Sequence, residues 1–128
     1  MAIVDDEESV RKALGRLVRA AGYDVQTFGS GADFLHSLTR AMPQCLVLDL
    51  RMPQMSGMDV QGALADAHAT FPVVIMTGDD SADSRQQTLA RGATAYLRKP
   101  VDEAMLLDAI QSAIRNTMQQ GARFIPGP

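Results

Sequence analysis

Reactive side chains lie at or near the ends of four separate apolar runs of this 128-residue sequence. Residues 2–4 are followed by Asp5 and Asp6, and residues 45–50 include Asp49. Residues 73–77 end in Thr77, and residues 95–97 are followed closely by Lys99 and Pro100. In an open parallel α/β sheet, ligands bind beyond the carboxyl ends of the strands. If the four runs are strands of one sheet, three carboxylates, a hydroxyl and an ammonium converge at one edge.

Such a carboxylate cluster is costly without a cation. Carboxylate oxygens with no His or Cys nearby suit Mg²⁺ or Mn²⁺, so a divalent ion is predicted to balance Asp5 and Asp6. A carboxylate can also act as a nucleophile and form an aspartyl phosphate, and Asp49 is the candidate. Lys99 and the metal would then neutralise phosphoryl oxygens, and Thr77 could donate a hydrogen bond to one of them.

Each of these features has a simpler structural explanation when taken alone. An Asp pair after a strand is usually a solvated turn or a helix cap, and an acid shortly before Pro, as in "DLRMP", often marks a corner. A lone Thr after "VVIM" is an ordinary strand residue, and "RKP" is an ordinary surface turn. Only their conjunction at the ends of the strands favours a functional site.

The stretches between the apolar runs, with residues 25–28 as a fifth strand, have helical spacing. Apolar residues of the first helix recur at i, i+3, i+4 and i+7 from Val10 to Ala21, and Gly22 suits its C-terminus. The second helix is predicted to begin at a Ser-x-x-Asp capping box at Ser30. The third is predicted from residue 58 to about 68, the fourth over 82–91, and the fifth after "KPVDE". Alternating strands and helices predict an α/β fold, a doubly wound five-stranded parallel sheet with five helices on two faces.

Composition and charge restrict the class of protein. The hydrophobic fraction of 46% and charged fraction of 21% are typical of one compact domain. A net charge of −3 argues against direct nucleic-acid binding by this chain. The single cysteine, Cys45, excludes an internal disulfide. No window is apolar enough to span a bilayer and no basic leader is present, which favours a cytoplasmic location.

These motifs resemble the receiver domain of two-component response regulators over nearly the whole chain. The stretches that carry the resemblance are "IVDDEESVRKALGRLV", "LVLDLRMPQMSGMD", "PVVIMTG" and "GATAYLRKPVDEAMLLDAI". "DLRMPQMSG" and "YDVQTFGSGADFL" look most like the FixJ branch. The resemblance implies a flavodoxin-like strand order of 2-1-3-4-5, with residues 1–118 as the receiver domain and 119–128 as a flexible tail or the start of a linker.

The resemblance also assigns roles to individual residues. It makes Asp49 the phosphoacceptor, with Asp6 and Asp49 as direct Mg²⁺ ligands, the main-chain carbonyl of Arg51 as another, and Asp5 acting through water. It makes Lys99 the contact to the phosphoryl group, Thr77 and Tyr96 the switch pair, and the Lys99–Pro100 bond cis.

The entrance of the site is assigned to Arg51, Met52 and Asp79, because in this family the positions two after the phosphoacceptor and two after the Thr flank the route of attacking water. The opposite charges of Arg51 and Asp79 suggest a salt bridge, although two independent solvated side chains are an equal alternative.

The resemblance implies phosphoryl transfer from a sensor histidine kinase, self-catalysed phosphorylation and dephosphorylation, and control of an output domain or partner in transcription regulation. Two alternatives remain, a Mg²⁺-dependent phosphohydrolase and a receiver-like interaction module that is not phosphorylated. A phosphohydrolase needs a second acid as general acid/base for turnover, but the residue two after Asp49 is Arg51, which cannot serve in that role. The second is disfavoured because every key position is present.

The output surface is expected on the fourth helix, fifth strand and fifth helix, where a homodimer could also form. Leu89 is expected to be the only large aliphatic anchor of the fourth helix, which predicts weak packing. The sequence leaves open whether the chain is an isolated receiver module or a one-domain protein.

Overall fold

The structure is a computed structural model that describes residues 1–123. Within these residues, five strands alternate with five helices. The strands are β1 (Ala2–Val4), β2 (Gln26–Phe28), β3 (Leu46–Asp49), β4 (Val73–Thr77) and β5 (Ala95–Arg98). The helices are α1 (Glu8–Ala20), α2 (Gly31–Ser37), α3 (Gly57–Asp66), α4 (Ala82–Ala90) and α5 (Glu103–Arg123).

The strands form one parallel sheet in the order β2-β1-β3-β4-β5. This arrangement confirms both the predicted α/β class and the strand order that the resemblance implied. Because β1 and β3 are neighbours at the centre, the residues after their carboxyl ends lie side by side.

Two apolar clusters cover the two faces of the sheet. Successive residues of a strand point to opposite faces, so Leu46 and Leu48 join one cluster while Val47 joins the other. The first cluster also contains Phe34 of α2 and Val60 of α3. The second is closed by apolar residues of α1 and α5, namely Val18, Leu106, Ile110 and Ala113. Burial on both faces explains why the central strands are continuously apolar.

Helix caps set the starts of α2 and α3. Ser30 accepts a hydrogen bond from the Asp33 backbone N–H at 3.1 Å, which is one half of the capping box predicted there. The complete reciprocal box lies instead at Ser56 and Asp59, directly before the third helix. At the end of α1, Gly22 adopts a φ of +100°, a conformation that side chains other than glycine rarely adopt.

The prediction that Leu89 anchors α4 is wrong. Leu89 is 39% exposed, and the residues that α4 buries are Ser84 and Thr88. These two are four positions apart and share a face, while Leu89 lies about 100° away from Thr88 around the helix. The fourth helix therefore buries polar residues rather than an aliphatic one.

The last helix extends beyond the predicted domain boundary. α5 continues to Arg123, five residues past the predicted end of the receiver at 118. The rest of the predicted tail, 124–128, lies outside the described residues. Across the part of the chain that is described, no helix is both long and apolar enough to cross a membrane.

Candidate functional site

Three carboxylates meet at the carboxyl edge of the central strands. The register pairs Val4 of β1 with Leu48 of β3, which brings Asp5 and Asp6 alongside Asp49. One carboxylate oxygen from each of the three lies within 4.8 Å of the others. Asp5 and Asp49 are buried whereas Asp6 is exposed. The site therefore has an open side that is bordered by Asp6.

Lys99 is the cation that the fold supplies to this cluster. Its Nζ donates to Asp5 Oδ2 at 2.7 Å and lies 3.4 Å from Asp49 Oδ1. The Lys99–Pro100 peptide bond is cis. Lys99 thus neutralises part of the carboxylate charge that a metal ion alone was predicted to balance. One ammonium against three carboxylates still leaves an excess of negative charge.

Backbone and arginine contacts hold Asp5 in place. The Glu7 N–H donates to Asp5 Oδ1 at 2.9 Å, and Arg11 Nη1 donates to the Asp5 carbonyl oxygen at 2.7 Å. Arg11 was not among the predicted site residues. The available sequence signal was a basic residue in the first turn of α1, shortly after the two aspartates.

The environment of Asp49 disfavours its charged form. Burial and the neighbouring Asp5 carboxylate raise the pKa of Asp49 to about 6, against the opposing effects of Lys99 and the Arg51 N–H. Burial alone would lower the pKa of Lys99, but its contacts with Asp5 and Asp49 outweigh burial and raise it. Lys99 is therefore charged at neutral pH, and Asp49 is ionised at an energetic cost.

Gly57 allows the loop after β3 to fold tightly against the site. A Cβ at this position would lie 2.7 Å from the Asp49 carbonyl oxygen and 2.8 Å from Leu50 Cα. The Gly57 N–H donates to the Leu50 carbonyl oxygen at 2.9 Å. This role was not predicted from the sequence, in which the glycine directly after Ser56 was the only local signal.

An ion pair lies at the predicted entrance. Arg51 Nη2 and Asp79 Oδ2 are 2.7 Å apart, although both side chains are well exposed. The Arg51 N–H also points to Asp49 Oδ1, at 3.4 Å. Met52 is half-buried and packs against the apolar cluster that contains Phe34. The suggested salt bridge is thus present, beside a carboxylate of the site.

Thr77 and Tyr96 lie on neighbouring strands and on the same face of the sheet. Tyr96 pairs with Ile75, two residues before Thr77. Thr77 is fully buried, and its Oγ1 accepts a hydrogen bond from the Asp79 N–H at 3.1 Å. The Tyr96 hydroxyl is enclosed near Asp80 without a hydrogen bond of good geometry among the described residues. Burial and the Asp80 carboxylate raise the pKa of Tyr96.

Known proteins are similar to this chain in sequence and in fold. Residues 1–111 match the family described as the response regulator receiver domain. The response regulator protein TodT of Pseudomonas putida is 37% identical over 118 residues, which are 92% of this chain and 52% of that protein. The solved structure of the response regulator StyR has a TM-score of 0.86 and 35% identity, covering 95% of this chain and 62% of that one. Full-length FixJ from B. japonicum has a TM-score of 0.84 and 31% identity, covering 91% and 57%.

The chain spans about half the length of the curated relatives it matches, TodT and TmoT of Ectopseudomonas mendocina among them. The similarity extends over the strands and helices that build the acidic site, and the sheet order agrees with the fold that the sequence motifs implied. The chain therefore belongs to the response regulator receiver domain family.

Proposed function

We propose that this receiver domain accepts a phosphoryl group on the Asp49 carboxylate from a phosphohistidine of a sensor histidine kinase. The observation that carries the proposal is a buried carboxylate at the sheet edge, next to two further acids and 3.4 Å from a lysine ammonium. An Asp49 oxygen attacks phosphorus as the P–N bond of the donor breaks. The imidazole leaves with the bonding electrons and takes a proton from solvent.

The acidic cluster fits a divalent metal ion, Mg²⁺ or alternatively Mn²⁺. Its donors are hard oxygens, and one oxygen from each of three carboxylates lies within 4.8 Å of the others. Asp6, Asp49 and the Arg51 carbonyl would hold the ion directly and Asp5 through water, as the family pattern implies. When bound, the ion neutralises charge on the phosphoryl oxygens.

Two further side chains have positions suited to the transfer. Lys99 is fixed by Asp5 and lies close to Asp49, so its ammonium is placed to contact a phosphoryl oxygen. The Thr77 oxygen already accepts from the Asp79 N–H, which leaves its own hydroxyl proton to donate. We assign these residues to stabilising the charge that develops on the transferred group.

The signal is proposed to leave through α4, β5 and α5. A phosphoryl group adds up to two negative charges and strong acceptor oxygens, which draw the Thr77 hydroxyl inward. The Tyr96 ring on the same face then turns toward the vacated space. Residues 1–118 are the receiver in this proposal, and 119–128 are a tail or the start of a linker. The same surface could pair two copies of the chain.

Incubation with Mg²⁺ and acetyl phosphate, followed by intact mass measurement, tests the proposal. We expect a labile gain of one phosphoryl group in the wild type, none in Asp49→Asn, and none when a chelator removes the metal. Asp108→Asn, an exposed acid on α5, is the matched control and should keep the gain. Continuous rapid phosphate release would instead indicate a phosphohydrolase, and an unchanged mass would indicate an interaction module.

A further inference from the structure

The fourth helix is attached to the domain by polar groups. Its buried residues are Ser84 and Thr88, and its single leucine is 39% exposed. Helices on a sheet are normally held by a buried apolar stripe. The position of α4 therefore depends on a small number of hydrogen bonds, and these are distributed unequally between its two ends.

The C-terminal end of α4 is bonded to α3. Gln61 is 4% exposed, and its Nε2 donates to the Thr88 carbonyl oxygen at 3.0 Å. The same carbonyl accepts from the Ala93 N–H at 3.0 Å. The amide orientation follows from chemistry, because a carbonyl oxygen requires a donor and only the NH₂ group provides one. Two donors from outside the helix thus converge on one buried carbonyl.

The N-terminal end of α4 has mainly local contacts. Ser81 caps the helix by accepting from the Ser84 N–H at 3.0 Å. The loop that leads into the helix reaches the functional site through the hydrogen bond from the Asp79 N–H to Thr77 Oγ1. An exposed ion pair of Asp80 with Arg98, at 3.4 Å, adds little. Ser84 is buried at this end, and the Arg51–Asp79 ion pair of the leading loop is exposed. Among the described residues, this end therefore has a connection to the site but no hydrogen bond to another helix.

We infer that Gln61 is a positioning residue that anchors the C-terminal end of α4, so that the helix responds to its site by moving its N-terminal end about Thr88. A cavity of about 200 Å³ next to Gln61, lined also by Leu64, Phe71 and Arg91, leaves room for a tilt at the anchored end. The movement of α4 in response to the site rests on the proposed function, whereas the anchoring of α4 by Gln61 does not.

A stability measurement separates an anchor from a general structural role. Gln61 Oε1 is enclosed without a donor among the described residues. An apolar replacement of similar length removes this unsatisfied group as well as the bond to Thr88, so it need not lower global stability. We expect Gln61→Met to keep or raise the thermal midpoint while it loosens α4 locally. A purely structural role predicts a lower midpoint.

Amide hydrogen exchange of the unliganded, ¹⁵N-labelled protein tests the anchor. In Gln61→Met, exchange at 91–93 should be about three- to tenfold faster than in the wild type, as expected for the loss of one hydrogen bond. Gln86→Met, an exposed glutamine on α4, is the control and should change nothing. Gln61→Leu must repeat the result. Unchanged exchange at 91–93 in both Gln61 variants would overturn the anchor.

Beryllofluoride with Mg²⁺, a phosphoryl mimic, tests the response. In the wild type, exchange should change at 79–85 and much less at 88–92, whereas in Gln61→Met the change should extend along the helix. A uniform change along wild-type α4 would overturn the pivot. No response anywhere would overturn both the proposed function and the pivot, while the anchor is decided by the unliganded measurement.

Discussion

Replacing Asp49 by Asn should stabilise the metal-free protein at neutral pH, although it removes a charge from the centre of the site. The Asp49 side chain is 4% exposed and lies beside Asp5. Both depend on the single ammonium of Lys99, which is closer to Asp5. Burial and repulsion therefore outweigh the attraction of Lys99, as the raised pKa of Asp49 requires.

The magnitude follows from that pKa. The pKa of Asp49 rises from 3.8 to about 6, and each tenfold change in acidity corresponds to about 1.36 kcal/mol. Because the folded state binds the Asp49 proton more tightly than the unfolded state does, protonation stabilises the fold. This stabilisation is complete below pH 3.8 and is lost as pH rises through about 6. Ionisation thus costs about 3 kcal/mol at pH values well above 6. Asn avoids that cost, but its amide must find new partners, so we expect a gain of about 2 kcal/mol.

Urea unfolding followed by far-UV circular dichroism, in the presence of a chelator, measures this effect. The free energy of unfolding of Asp49→Asn should exceed that of the wild type at pH 7.5 and approach it near pH 4. Asp108→Asn should stay within about 0.5 kcal/mol of the wild type at both pH values. If Asp49→Asn is less stable than the wild type at pH 7.5, the attraction of Lys99 dominates and the reasoning fails.

Three further predictions concern the surroundings of the site. Gly57→Ala should lower the free energy of unfolding by about 1–3 kcal/mol, because its Cβ would displace the Asp49 loop. Gly62→Ala is the control, since a Cβ there meets nothing within 4 Å, and it should be neutral or stabilising in urea unfolding. The Arg51–Asp79 pair is expected to hinder attacking water, so single and double alanine variants should shorten the lifetime of the phosphorylated state non-additively, by at most about fivefold for so exposed a pair. Strictly additive lifetimes would contradict coupling. Burial raises the pKa of Cys45 to about 12, so thiol alkylation should follow global unfolding, and rapid labelling of the native protein would argue otherwise.

The sheet was predictable because its strands are short apolar runs with polar residues at their ends. β1 and β4 have the predicted bounds. β3 is one residue shorter at each end, β2 begins one residue later, and β5 ends one residue later than predicted. The convergence of Asp5, Asp49 and Lys99 followed from the geometry of parallel sheets, since all three follow or end strands at one edge. The direct bond from Lys99 to Asp5 did not follow, because a pairing across 94 positions depends on side-chain conformations that no local pattern specifies.

Residues with a purely tertiary role were missed for the same reason. Gly57 is needed because two backbone segments approach closely, and Gln61 bonds a carbonyl 27 positions away. For Leu89, hydrophobicity suggested burial, but the phase of α4 is set by Ser84 and Thr88. Local pattern identifies helices and strand ends well, whereas it does not determine which face of a polar helix meets the sheet.

The unequal attachment of α4 also decides which motion costs less. A rigid shift of the whole helix would break the bond from Gln61 and leave its buried Nε2 without an acceptor, at a cost of about 1–3 kcal/mol. A tilt about Thr88 leaves that bond intact and disturbs the exposed Asp80–Arg98 pair, which is worth about 0–1 kcal/mol. A difference of 1.4 kcal/mol is a factor of ten in population. The middle values of these two ranges differ by about 1.5 kcal/mol, so the tilt is favoured by about tenfold. In the proposed mechanism, a charge at Asp49 that acts through Thr77 would reach the N-terminal end of the helix.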